Sequence, residues 1–340
     1  MALLKSILKR LASSIVVLLG LTVIIFGLMK VVPGDPARLA LGPNVSEETL
    51  EQYREVNHLN DPIPIQYVYW LGNALHGDFG ISSVTQREVS QDISEFLPAT
   101  IELIIWAGIP SIVFALLLGI VSAQYKNKWP DYLCRFFGYI FVATPTFVFA
   151  VLFILFFGYW LPLMPTIGGR ISPQFVVDEV TGFYIIDTLL AGQPAATLDA
   201  AMHLIFPALA LALGKIMQEA RITRSSMLQN ADKDYITMIT SQGVPKSVIS
   251  RRFLLKPSVI PTITVMGMDF AAMFGNAFLV ERIFNWPGLS SYGMTAILNK
   301  DTNAVCAVVL IIGLAFVGTS ICVDIIAMIL DPRMRQKRTT

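Results

Sequence analysis

Long apolar runs, separated by short polar and basic stretches, dominate this chain. They occupy residues 11–32, 97–123, 133–161, 202–228, 258–280 and 303–330. Each is about as long as a helix needs to cross roughly 30 Å of hydrocarbon. The runs are continuous rather than alternating, so they predict six spanning helices and not a barrel. The first follows Lys5, Lys9 and Arg10 as a signal peptide would. Its core is too long for one and no small-residue cleavage site follows, so a retained anchor is expected. Glu219, Arg221 and Arg224 are expected just beyond the hydrocarbon, at the end of the fourth run.

This pattern divides the chain into an anchor helix with an outer loop (1–96), a five-helix core (97–330) and a polar tail (331–340). The outer loop carries an acidic stretch, Glu47, Glu48, Glu51 and Glu55, that can form a helix after Asn44 and Ser46. Tyr67, Tyr69 and Trp70 follow, placed as interfacial anchors. Within the core lie a mixed polar insertion (162–200) and a polar segment (229–257). The second of these reads as two short amphipathic helices around Gly243-Val244-Pro245. Asp232 can cap the first helix, whose Tyr235, Ile236 and Ile239 share one face. Gly243 supplies a left-handed residue, and Pro245 can open the second helix at its first position. Pro257 and Pro261 are expected to stop that helix and admit the next span. Such a helical bracket is a handle for a soluble partner; the alternative is an amphipathic surface lying on anionic lipid.

Composition agrees with a membrane protein. Residues of the hydrophobic set make up 54% of the 340 and charged residues 14%. A soluble domain carries roughly 25% charged residues, and mean hydropathy here is +0.63. The net charge of +1 is uninformative, but its distribution is not. Lys and Arg crowd the N-terminus, the 124–135 turn (Lys126, Lys128, Arg135), the 215–256 segment and the tail (Arg333, Arg335, Lys337, Arg338). The positive-inside rule then puts both termini and the bracket in the cytoplasm. Cys134, Cys306 and Cys322 lie in or beside apolar runs without paired spacing, which fits buried inert thiols. His203 is far in sequence from His58 and His76, so no metal site is expected.

The fifth run carries chemistry. Gly267, Ala271 and Gly275 form a small-residue stripe that lets another helix approach. Met266, Asp269, Met273 and Asn276 recur on roughly the opposite face. A carboxylate at this depth costs about 2.5–3.5 kcal/mol, so Asp269 is expected to face water or a partner. One reading makes this face the wall of a translocation path, with Asp269 attracting a positive group and the methionines tolerating varied cargo. The other makes Asp269 half of a structural pair with a neighbouring helix. Glu102 and Asp324 lie near span ends, where solvation or ion pairing is expected. Trp286-Pro287-Gly288 reads as a tight outer turn with its indole at the headgroups or against a delivered protein.

Several motifs occur in one order along nearly the whole chain. Val32-Pro33-Gly34-Asp35-Pro36 follows the first span, and His76-Gly77-Asp78-Phe79-Gly80 precedes Leu97-Pro98-Ala99-Thr100-Ile101-Glu102-Leu103. Arg224-Ser225-Ser226-Met227-Leu228, Asp234-Tyr235-Ile236, Phe284-Asn285-Trp286-Pro287-Gly288-Leu289 and Asp331-Pro332-Arg333 complete the series. Together these resemble the permease subunits of bacterial peptide/nickel-type ATP-binding-cassette importers. The insertion with Thr181-Gly182-Phe183-Tyr184-Ile185-Ile186-Asp187 looks like the dipeptide branch.

The resemblance implies an all-helical inner-membrane permease of six spans with large periplasmic loops. Its partners would be a homologous second permease, two cytoplasmic ATPases that bind the ATP and magnesium, and a periplasmic binding protein. Membrane lipid surrounds it, and this chain would bind no cofactor of its own. The bracket corresponds to the family's ATPase-coupling segment. Gly243 and Pro261 occupy its framing positions, with Asp234, Tyr235, Ile236, Ile239, Val244 and Pro245 around them and Arg251 and Arg252 available to acidic groups. Thr237-Met238-Ile239 and Lys256-Pro257-Ser258 depart from the family pattern. Relatives often have an amide or small residue near Asp269 and a small residue near Asn276, so both positions are candidates for tuning cargo.

The sequence also argues against other classes. The phosphate-cradling G-x-x-x-x-G-K-[ST] pattern is absent, as is any nucleophile–base constellation. Basic residues mark topology rather than an aromatic-studded groove for nucleic acid. An ion-driven carrier using Asp269 and Glu102 stands as a rival, against which the lack of an inverted repeat counts. An intramembrane protease would need Asp269 and Asp324 together, yet they fall toward opposite faces of the bilayer. Dipeptides lead as cargo, with longer peptides, opines, polyamines, haem and nickel chelates as alternatives.

Overall fold

The computed structural model describes residues 2–31, 35–42, 44–163, 165 and 168–330. Helices carry the whole architecture among these residues. The first is α1 (Ala2–Val31), followed by α2 (Pro36–Leu41), α3 (Glu47–Val56) and α4 (Ile63–Leu75). Then come α5 (Val89–Gln124), α6 (Trp129–Ala143) and α7 (Thr146–Phe153), the last prolonged by a π-helical turn, Ile154–Trp160. After α8 (Tyr184–Leu190), α9 (Pro194–Ala231) crosses the centre of the bundle. The bracket comprises α10 (Asp234–Ser241), α11 (Lys246–Val248) and a second π turn, Ile249–Leu255, that runs into α12 (Lys256–Ile283). Finally α13 (Leu289–Leu298) precedes α14 (Thr302–Leu330).

Among the described residues, four helical stretches are long and apolar enough to cross a membrane: Val89–Gln124, Pro194–Ala231, Arg252–Ile283 and Thr302–Val323. The run 133–161, expected as one straight span, is instead a pair, Trp129–Ala143 and Thr146–Trp160, bent by 101°. Pro145 has no N–H and disfavours the helical conformation in the residue before it. Thr144 accordingly turns extended, at φ −90° and ψ 123°. Counting that pair as one gives up to five spans, with the shorter apolar stretch Ala12–Leu28 of α1 beside them. Arg333, Arg335, Lys337, Arg338 and the Asp331-Pro332-Arg333 motif lie outside the described residues, as do Val32, Pro33 and Gly34.

Small residues allow the central helices to meet closely. At Gly119 of α5 an added Cβ would lie 2.8 Å from the Ala220 carbonyl and 2.5 Å from the Thr223 Cβ of α9. Gly267 of α12 is tighter still, with Val323 of α14 2.0 Å from where a Cβ would be. Of the small-residue stripe, Gly267 and Ala271 are buried, whereas Gly275 faces open space. The core between α5, α7, α9 and α12 contains Leu103, Phe149, Leu211, Met273 and Trp286.

Trp286 is a correction to the headgroup reading. Its indole is buried, and Nε1 donates to the Ala99 carbonyl at 3.0 Å. A buried indole needs a partner for its one donor, and this carbonyl provides it. Tyr67 and Trp70 likewise turn inward, packing on Phe26 of α1 rather than serving only as interfacial anchors. Tyr67 also shares a 2.8 Å hydrogen bond with Thr22, and Tyr69 stacks on His58. Ser46 caps α3 by accepting from the Thr49 N–H at 3.2 Å, as the acidic stretch predicted. Cys306 is buried but Cys322 is exposed and Cys134 half-buried, so only one thiol is deeply enclosed.

Candidate functional site: the bracket and the charged pairs behind it

The bracket begins one residue later than its sequence implied. Asp232, expected to cap α10, instead ends α9, with helical-type angles of φ −84° and ψ 4°. Lys233 takes the extended conformation that an N-cap requires (φ −83°, ψ 143°), without a side-chain cap. Asp234 then falls in the first turn of α10, where a negative charge suits the helix dipole. Ile236 is buried, Ile239 half-buried and Tyr235 exposed, so the apolar face is split between bundle and surroundings. Gly243 has φ +78°, the left-handed conformation expected of it. Val244 is half-buried and Pro245 exposed. Pro245 sits just before the second helix rather than within it, and its carbonyl accepts from Val248 and Ile249.

Pro257 and Pro261 do not stop that helix. Residues 246–283 are helical throughout, with the π turn just ahead of Pro257. A normal turn would aim the Phe253 carbonyl at the proline, which has no N–H and clashes there. A π turn pairs each carbonyl with the residue five ahead, so the missing donor is skipped. Tyr235 adds a 3.4 Å hydrogen bond from its hydroxyl to the Phe253 carbonyl, joining α10 to that turn. Arg252 and Pro261 are exposed, and the side chain of Arg251 lies outside the described ones.

Deeper in the bundle Asp269 meets a neighbouring helix. Lys215 of α9 forms an ion pair with it at 2.5 Å, and Gln218 Nε2 donates to its second oxygen at 3.3 Å. These contacts offset part of the cost of a carboxylate at membrane depth. Asp269 is thus nearly enclosed, and Met266 and Met273 lie in the chain's own core rather than on an open wall. Asn276 alone of the four is exposed. Glu219, expected beyond the hydrocarbon, is buried one turn from Lys215, and its Oε2 has no hydrogen-bond partner among the described residues. Lys215 is the partner of Asp269 that the run pattern hid, because it reads as part of the basic 215–256 segment. A lone cation facing a lone carboxylate on another apolar run was the available signal.

Three further carboxylates fasten the ends of the bundle. At the end away from the bracket Glu102 is buried against Arg170, 2.6 Å away, and accepts from the Ile185 N–H at 3.0 Å. Arg170 also donates to the Gly182 carbonyl at 2.6 Å and lies over the Tyr184 ring at 4.0 Å. Burial first, then a hydrogen bond to Glu179, pushes the Tyr184 hydroxyl up to about 12, so it stays a neutral donor. The 162–200 insertion is thereby fixed on α5. Nearby, Glu281 is buried between the Thr100 hydroxyl (2.6 Å) and the Ser291 N–H (2.8 Å), capping α13 from outside its own turn. At the bracket end Asp131 accepts from Arg224 through both oxygens (2.6 and 2.8 Å), from Ser122 at 2.6 Å and from the Asn127 N–H at 2.9 Å. His203 contacts Asp199 within its own helix. The side chain of Asp324 lies outside the described ones.

Comparison with known proteins gives this geometry a context. The chain is 35% identical over 327 residues to the dipeptide transport system permease protein DppB of Alkalihalophilus pseudofirmus, covering 96% of this chain and 98% of that protein. It is 35% identical over 322 residues, 94% of each chain, to the probable D,D-dipeptide transport system permease protein DdpB of Escherichia coli. It is 29% identical over 335 residues to the glutathione transport system permease protein GsiC of the same species, covering 97% of this chain and 99% of that one. Residues 3–104 match the N-terminal component of binding-protein-dependent transport system membrane proteins. Residues 103–336 match the binding-protein-dependent transport system inner membrane component, and the chain belongs to that family, as its ordered motifs implied.

Proposed function

We propose that this chain is one permease subunit of an ATP-binding-cassette importer for short peptides, working in a bacterial inner membrane. The bracket is the observation that carries the reading. It is a compact helical projection whose second half is continuous with α12, the helix bearing Asp269. In this reading the six apolar runs are six spans, with α1 and the bent α6–α7 pair completing the count. Both termini and the bracket are cytoplasmic, and the loops at 33–96 and 162–200 are periplasmic. A homologous second permease completes the pore, and two ATPases holding ATP and magnesium dock on the brackets. A periplasmic binding protein delivers cargo from the other side, to a surface most simply supplied by the 33–96 loop.

The cargo assignment rests on relatives whose names specify dipeptides, D,D-dipeptides and glutathione. The permease has two packed states, and nucleotide in the partners biases them through the bracket. Asp269 and Asn276 face the path in the transporting state, where Asp269 attracts the ammonium of a peptide. Gly243→Asp tests the docking role: it strains a left-handed position at the bracket without touching the bundle core. The variant is expected to insert normally while losing copurified ATPase and ATP-dependent, vanadate-sensitive peptide uptake in vesicles. Wild-type ATPase recovery and uptake overturn the assignment, as does uptake driven by an imposed ion gradient in the chain reconstituted alone.

A further inference from the structure

The groove between α6 and α9, at the bracket end of the bundle, holds unmatched positive charge. It encloses about 270 Å³ and is lined by Arg135, Arg221 and Arg224 together with Cys134, Tyr139 and Ser225. Only Arg224 is fully matched, by its two bonds to Asp131. Arg135 Nε lies 3.7 Å from the same carboxylate, is buried, and has no hydrogen-bond partner among the described residues. Its guanidinium instead covers the Tyr132 ring at 4.8 Å. Arg221 is exposed and makes no hydrogen bond or ion pair among the described residues. Three guanidiniums thus line one groove at the edge of a membrane bundle, and the Asp131 carboxylate pairs with only two of them. Beside the groove α6 presents Trp129, Tyr132, Phe136 and Ile140, all exposed and spaced along one face.

We propose that this groove binds the phosphodiester headgroup of an anionic phospholipid from the leaflet at the bracket end. Arg135 and Arg221 donate to the phosphate oxygens, and the Ser225 hydroxyl is placed to add a third donor. The acyl chains run along the exposed face of α6, with Trp129 and Tyr132 at headgroup level. Basic pockets between membrane helices are suited to this chemistry. A soluble phosphate would satisfy the arginines but leave that apolar face unused. The bound lipid would bridge α6 to α9 just before α9 delivers the chain into α10, so it bears on the bracket's footing.

The test uses the full-length chain, purified in detergent and titrated with phosphatidylglycerol or phosphatidylcholine while bound lipid is counted by native mass spectrometry. Wild type is expected to retain phosphatidylglycerol in preference to phosphatidylcholine. Arg135→Gln and Arg221→Gln are each expected to weaken that retention roughly fivefold, and the double variant to abolish the preference. Arg282→Gln, an exposed arginine at the other end of α12, controls for general charge loss and is expected to retain lipid as wild type does. Circular dichroism confirms that each variant is folded. Equal retention of the two lipids by wild type, or an undiminished preference in the double variant, overturns the proposal. Displacement of phosphatidylglycerol by an equal concentration of glycerol phosphate also overturns it, in favour of a free-anion site.

Discussion

Replacing Arg170 with methionine isolates one buried ion pair and asks what holds the insertion on the bundle. Methionine keeps much of the side chain's length and apolar contact with Tyr184 and Trp286, so the change is mainly one of charge. It leaves Glu102 buried, with only the Ile185 N–H to satisfy it. It also strips the Gly182 carbonyl of a donor at 2.6 Å. Removing one partner of a buried pair typically costs about 3–5 kcal/mol, most of it from the charge left behind. Arg170→Met is therefore expected to destabilise by about that much. Glu102→Gln/Arg170→Met removes the stranded charge and is expected to recover about 0.5–3 kcal/mol of the summed single costs, the range usual for coupled neighbours. Denaturant titration of the purified chain in detergent gives the two numbers. Hydrogen exchange along 171–190 gives the location, which is expected to open before α5 does. A single-variant cost below about 1 kcal/mol, or simple additivity in the double variant, refutes the argument that this pair fastens the insertion.

Other outcomes follow from separate features. Gly288→Ala puts a Cβ 2.4 Å from the Glu281 carboxylate, which is buried and held on both sides. It is expected to lower the unfolding temperature and raise exchange across α13, and unchanged α13 protection would refute the capping role. Gly267→Ala is expected to destabilise by roughly 1–3 kcal/mol through overpacking against Val323, with Val323→Ala restoring most of it in the double variant. Asp35 has its carboxyl lowered, first by a hydrogen bond from Arg54. A lowered carboxyl adds stability above its unfolded value and loses it as pH falls through the folded one. Hydrogen exchange in α2 and α3 is therefore expected to rise below about pH 4, and Arg54→Gln to weaken that dependence. Cysteines introduced at positions 269 and 276 are expected to react with aqueous thiol reagents in the assembled transporter, and labelling confined to 267 and 271 would refute the proposed path.

The four long apolar helices and the left-handed Gly243 were legible because each depends on local chemistry alone. Proline was less so. Pro98, Pro110, Pro207 and Pro261 all lie inside helices, whereas Pro145 breaks one. Each removes the same donor, so the outcome depends on whether the surrounding packing holds the chain straight, which no local pattern records. Buried pairs were the least legible feature. Lys215 and Asp269 are 54 residues apart, and Asp131 and Arg224 are 93 apart. The periodicity of one helix shows which face a charge occupies but not which distant residue waits there. Trp286 failed for the same reason: its turn was readable, while the Ala99 carbonyl that accepts its N–H was not.

One consequence of the continuous helix bears on coupling. Had Pro257 ended the bracket, a hinge would separate the proposed docking surface from the bundle, and any motion imposed at Val244 would dissipate there. Instead helical backbone runs from Lys246 to Ile283, and Asp269 lies 23 residues along it, about 35 Å at 1.5 Å per residue. The π turn is its softest place, because its hydrogen bonds are shifted and its carbonyl at Phe253 borrows a long bond from Tyr235. Tyr235→Phe removes that bond while keeping the ring, so α10 should loosen from α12 without losing its apolar face. ATPase recovery is then expected to stay near wild type while transport falls, a separation that Gly243→Asp does not produce. Equal loss of binding and transport in both variants would mean that the hydroxyl merely helps form the docking surface and transmits nothing to the helix behind it.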